Sequence, residues 1–173
     1  MIRTFDAPWS RTLKWISLLA TVAVLAVSIW LPAPETVAWL WWPVRLFGPV
    51  LVSGCALFTI RGYTLVEGEL RVQRLFWSTR VPLKNLRAVE FRPGPFGWAI
   101  RVLGNGGFFS FSGLFYQSGL SLFRAMATRV GDAIILRFTD RLPLVLTPAD
   151  PQAFAEAVRQ EASQTGAPSP SAD

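Results

Sequence analysis

Leu146-Thr147-Pro148-Ala149-Asp150-Pro151-Gln152-Ala153-Phe154 is the stretch where one kind of pattern gives way to another. Asp150 suits an N-cap, because its carboxylate can accept from the free amides of a first helical turn. Pro151 suits the first helical position, where a missing N–H removes no bond. Beyond them Phe154, Ala157 and Val158 recur at helical spacing, which predicts one amphipathic helix to about Ala162. Before them the apolar residues alternate in twos. Ile134, Leu136 and Phe138 share one face, a turn follows at Thr139-Asp140-Arg141, and another strand runs through Leu146.

The same period of two continues upstream. Ile100 and Val102 flank Arg101, Val89 and Phe91 alternate with Glu90 and Arg92, and Leu70 and Val72 alternate with Arg71 and Gln73. Glu67-Gly68 offers one hairpin turn and Asn105-Gly106 a second, the strongest short signal of its kind. About six or seven strands followed by one helix predict an α+β or mainly-β domain, with the helix covering an open end of a curled sheet. Residues 102–123 carry no charge, but Gly104 to Phe123 includes five glycines and four serines. These are poor helix formers, so an aromatic, glycine-rich hairpin fits better than a membrane span.

Further upstream the character changes again. No charge occurs from Trp15 to Pro34, and Leu13–Leu31 gives 19 residues, or about 28 Å of helix, close to the hydrocarbon thickness of a bilayer. Arg11 and Lys14 precede the run as in a signal peptide, but the run is long and Pro32-Ala33-Pro34 is a poor cleavage site. Residues 31–36 form a tight connector whose prolines cannot extend the helix. A second apolar segment follows over about 38–60, interrupted by Arg45. Trp39, Trp41 and Trp42 fit an interfacial belt, with Arg45 snorkelling toward headgroups. The deeper part then begins near Leu46, shortened or bent at Gly48 and Pro49. The division is an N-terminal segment (1–12), a membrane α-helical hairpin (13–60, helices 13–31 and about 38–60), a β-rich domain (61–162) and a disordered tail (163–173).

Charge sets the orientation. Arg3, Arg11 and Lys14 precede the first helix, Arg61, Arg71 and Arg74 follow the second, and the connector holds only Glu35. The positive-inside rule therefore places both termini in the cytoplasm of a multi-pass cell-membrane protein. Of the formal +6, most lies in residues 61–101, which hold eight basic and three acidic side chains. Arg71, Arg74, Arg80, Lys84 and Arg87, with Arg92 and Arg101, are candidate contacts for anionic lipid headgroups, worth about 1 kcal/mol for each basic residue near the surface. The plainer account is topology plus a solvated strand face. Phe108 and Phe109, with Phe111, Phe115 and Tyr116, supply either core or a loop that touches membrane or partner.

Several chemistries are disfavoured. The chain has no histidine, which removes His-based triads, the usual zinc sites and imidazole acid–base work. Its one cysteine, Cys55, cannot form an intrachain disulfide. Gly104-Asn105-Gly106-Gly107 lacks the Lys-Ser/Thr ending of a phosphate loop. Asp132, Asp140 and Asp150 each fall at a turn or cap. No catalytic residue, metal site or cofactor is expected, and no nucleic-acid recognition motif accompanies the basic residues.

Four features together resemble the bacterial pleckstrin-homology-like (PH-like) domain family tethered behind two membrane helices. They are Arg61-Gly62-Tyr63-Thr64-Leu65, the Gly-rich aromatic stretch from Gly104 to Gly119, Met126-Ala127-Thr128, and Leu146 to Phe154. The resemblance covers about 61–162 and implies a curved antiparallel sheet capped by a C-terminal helix. It does not imply an enzyme. The two anchors, the basic β-rich domain and the absent catalytic groups together predict a non-enzymatic protein that makes protein–protein or membrane-surface contacts at the cytoplasmic face. The alternative expectation is an accessory subunit of a multi-pass transporter or membrane-enzyme complex, docking through Gly48, Ser53, Gly54 and Arg45.

Overall fold

The computed structural model describes residues 2–30, 41–94 and 99–164. A short strand, β1 (Arg3–Asp6), comes first, then α1 (Arg11–Trp30) and α2 (Trp41–Leu57). Nine strands follow: β2 (Ile60–Val66), β3 (Glu69–Arg74), β4 (Ser78–Pro82), β5 (Leu86–Arg92), β6 (Ile100–Phe108), β7 (Ser110–Gln117), β8 (Ser121–Ala127), β9 (Ala133–Phe138) and β10 (Leu144–Leu146). The last element is α3 (Pro151–Gln164). The expected connector, Trp39 and all of the tail beyond Gln164 lie outside the described residues.

The strands form two sheets, ordered β1-β2-β3-β4 and β5-β9-β10-β8-β7-β6. Glu67 and Gly68, both with positive φ, make the two-residue turn between β2 and β3 that their sequence predicts. Leu70 and Val72 point inward, as do Ile134, Leu136 and Phe138, and one core joins them to Phe154 and Val158 of α3. That helix packs against β2 of one sheet and β5 and β9 of the other, closing one corner of the sandwich. Asp150 accepts from Ala153 N–H at 3.0 Å, the expected cap. Glu161 holds the far end by accepting from Gly68 N–H at 2.9 Å.

The sheets depart from expectation in four ways. Among the described residues the strands after α2 number nine rather than six or seven, because β4 carries Val81 as its one inward apolar residue and β8 runs its apolar residues together, so neither shows a period of two. One pair, β10 with β8, is parallel, so the arrangement is not wholly antiparallel. The reversal between β6 and β7 falls at Phe109, which has positive φ, and not at Asn105-Gly106. Asn105 turns its side chain on Phe108 instead, accepting from its N–H at 3.0 Å and donating to its carbonyl, so the strand continues past the dipeptide. Finally, residues 1–12 are not merely a leading segment: β1 pairs antiparallel with β2, Phe5 opposite Tyr63.

That pairing fixes how the helices attach. The chain leaves the domain through β1, runs along α1, comes back along α2 and re-enters through the neighbouring strand β2. The two helices lie side by side. A Cβ on Gly48 would stand 2.0 Å from Ser28 Oγ, so glycine is what permits that approach. Of α1, only Leu13 and Ser17 are buried, while Leu19, Val22, Ile29 and Trp30 stand exposed, as do Phe47 and Val50 of α2. Among the described residues α1 alone is long and apolar enough to cross a bilayer. The 17 described residues of α2 span about 25 Å, short of the roughly 30 Å hydrocarbon core. It ends at Leu57, and Ile60 belongs to the buried sheet rather than to the helix.

Candidate functional site

The basic residues singled out in the sequence divide into different settings. Arg71 points outward from β3 and meets Glu69 at 3.8 Å. Arg80, directly across the ladder from Arg71, is exposed on the edge strand β4. Lys84 and Arg87 are exposed where the chain passes to the second sheet.

Arg74 differs, and its place in an exposed cluster needs correction. It continues the inward phase of Leu70 and Val72 and is only 7% exposed. Its guanidinium donates to Phe58 O at 2.8 Å and Thr79 Oγ1 at 3.0 Å, and lies over the Phe58 ring. Burial, reinforced by the charge of Arg124, lowers its pKa from the ordinary arginine value. Arg74 thus ties the end of α2 to the first sheet.

Phe108 and Phe109 sit at the tip of the β6–β7 hairpin, half-buried, with rings 4.6 Å apart. The tip rests on the base of α1: Phe109 N–H donates to Ser17 Oγ at 2.9 Å, and its ring meets Trp9 at 6.1 Å. Ser110 Oγ, next in the chain, donates to Phe58 O at 3.2 Å. Sequence reasoning missed the β3–β4 turn nearby, where Phe76 is 78% exposed and Trp77 packs edge-on against Phe58 at 5.3 Å. Leu75-Phe76-Trp77 is an apolar run in a turn, and that was the available signal. Trp9, Trp77, Phe58 and the hairpin tip therefore gather at the junction of helices and domain. Toward the distal end of the helix pair Trp30, Trp42 and Arg45 are all exposed. Gly48 faces α1, so it is not open to a partner as the subunit reading requires. Gly54 is open, with no atom within 4 Å of where a Cβ would stand.

A buried network joins the N-terminal segment to the core. Tyr63 Oη donates to Met126 O at 2.7 Å and accepts from Thr147 N–H at 3.3 Å. Thr128 N–H donates to Thr147 Oγ1 at 3.0 Å, and Thr128 Oγ1 donates to Pro8 O at 2.9 Å. Burial pushes the Tyr63 phenol up to about 12. Tyr63, Met126-Ala127-Thr128 and Leu146-Thr147, distant in sequence, converge on this one knot. A family model described as Bacterial PH domain matches residues 61–162, more than half of the chain. The chain belongs to that family. No curated protein and no solved structure matches it.

The PH domain thus accounts for the two sheets and the capping helix, and α1, α2 and β1 are additions to it. The three aspartates hold structural places. Asp132 accepts from Gly94 N–H at 2.8 Å, Asp150 caps α3, and exposed Asp140 is bound by Arg141, whose hydrogen bonds lower its pKa.

Proposed function

We propose that this is a non-enzymatic, membrane-anchored PH domain protein. In this reading α1 and α2 span the cell membrane, and the PH domain makes protein or membrane-surface contacts at the cytoplasmic face. The observation that carries it is the pairing of β1 with β2 on either side of an exposed, apolar helix pair. A helix that is apolar all round and uncovered by its own chain needs an apolar solvent. A leader removed after α1 would take an integrated strand with it. The aromatic junction supports the same placement, since Trp and Tyr collect at membrane–water boundaries.

The test is topology mapping in a Cys55→Ser background. Thr4→Cys and Ser163→Cys should react with an impermeant maleimide only after the membrane is opened, and Glu35→Cys in intact cells. Alkaline washing should leave the chain in the membrane pellet. Release into the supernatant, or Thr4→Cys and Ser163→Cys on opposite faces, overturns the reading.

A further inference from the structure

Away from the corner that α3 closes, the two sheets part around a cleft of about 680 Å³, within the range of small-molecule sites. Its floor is apolar and belongs to the main core: Val81, Met126 and Leu144. Its rim carries Arg80, Arg124 and Arg141, all with exposed side chains. The three come from β4, β8 and the segment before β10, so only the fold brings them together.

The charges around the cleft are poorly compensated. Arg124 shares the phase of Met126 and therefore faces the space between the sheets. Its neighbours across the two ladders are Leu114 and Leu144. Arg80 shares the outward phase of Arg71, a like-charge pairing that disfavours the strand contact, and borders the cleft from its rim on the edge strand β4. Among the described residues neither Arg80 nor Arg124 has a carboxylate within ion-pair distance; Arg141 has Asp140 at 3.0 Å. Arg74 lies close enough behind for Arg124 to act on it, and it too has only neutral partners. A free inorganic anion would meet the guanidinium groups and leave the floor wet. A neutral lipid would cover the floor and leave the charges alone. One molecule with both parts satisfies both.

We propose that this cleft binds an anionic amphiphile, with a phosphate or carboxylate head held by Arg80 and Arg124 and an apolar chain laid over Val81, Met126 and Leu144. Arginine suits the head because its planar fork matches either oxyanion in two parallel hydrogen bonds. This site goes beyond the anchoring role. It rests on the PH domain alone, whichever way the helix pair is seated.

The experiment uses the full chain in phosphatidylcholine nanodiscs, titrated calorimetrically with octyl phosphate against protein-free discs. Saturable binding is expected, weakened at least about tenfold in the Arg80→Gln/Arg124→Gln double variant and changed less than about twofold by Arg61→Gln, which is exposed on β2 away from the cleft. Leu142→Gln, on the apolar wall, should weaken octyl phosphate severalfold, and molar salt should weaken it by screening the rim. Octanol and inorganic phosphate, each carrying half of the molecule, should bind far more weakly. The proposal is overturned by an absence of saturable binding, by equal losses in the Arg61→Gln and double variants, or by either half-ligand binding as well as the whole.

Discussion

Two helices of this chain, α3 and α1, meet opposite circumstances. In α3 the apolar residues keep to one stripe, and Phe154, Ala157, Val158 and Ala162 are buried against the sheets. In α1 they go all the way round, and only Leu13 and Ser17, near its base, are buried. Each begins with a side-chain cap, Asp150 to Ala153 N–H at 3.0 Å and Ser10 to Leu13 N–H at 3.1 Å, so local start signals do not separate them. The stripe does. A helix with a stripe has its cover written into the same chain, and a helix without one has it elsewhere.

The comparison breaks most readily at the core. Phe154→Ala should lower the unfolding free energy of the sheets by about 3–5 kcal/mol, whereas Val22→Ala, on exposed α1, should change it by less than about 0.5 kcal/mol. Denaturant unfolding of the full chain in nanodiscs, followed by the circular dichroism of the sheets, measures both. Equal costs would mean that α1 packs as α3 does.

A second measurement addresses the knot where the α1 side meets the core. The folded pKa of Tyr63, about 12, stands above the ordinary phenol value near 10. In between, the unfolded chain loses the proton while the folded one keeps it. Stability is therefore undiminished below about pH 10 and falls as pH rises to about 12, by roughly 2–3 kcal/mol. Tyr63→Phe should remove that slope, at the cost of about 1 kcal/mol at neutral pH from the lost hydrogen bond. The smallest effect sharpens the contrast at the caps. Asp150→Ala should cost the sheets about 0.5–2 kcal/mol, and Ser10→Ala should leave their unfolding unchanged within about 0.5 kcal/mol, by the same unfolding curves.

Much of this architecture was legible because it rests on local periods. Strands β3, β5, β6 and β9, the cap and stripe of α3 and the apolar length of α1 each show in a few consecutive residues, whereas β4 and β8 do not. Strand β1 does not. Arg3-Thr4-Phe5-Asp6 holds one apolar residue, and only pairing with β2 makes it a strand. Asn105-Gly106 is a turn dipeptide whose side chain found other work. Arg74 was readable as an inward residue, two beyond Val72, but its charge drew it into the surface cluster. Arg124 drew no notice, and Arg141 was read only as part of a turn, because residues 102–150 are nearly charge-balanced. Their meeting with Arg80 depends on strand order, including the parallel β8–β10 pair, which no local pattern encodes.

The pairing of β1 with β2 also has a mechanical side. A domain hung from a single helix by a linker can swivel about that helix. This one is gripped on two neighbouring strands, each joined to its own helix through a short link, residues 7–10 or 58–59, so rotation about the helix axes is resisted by the sheet itself. The arginine-rimmed cleft keeps a fixed bearing relative to the helix pair. Tilting either helix must then load the β1–β2 ladder in shear.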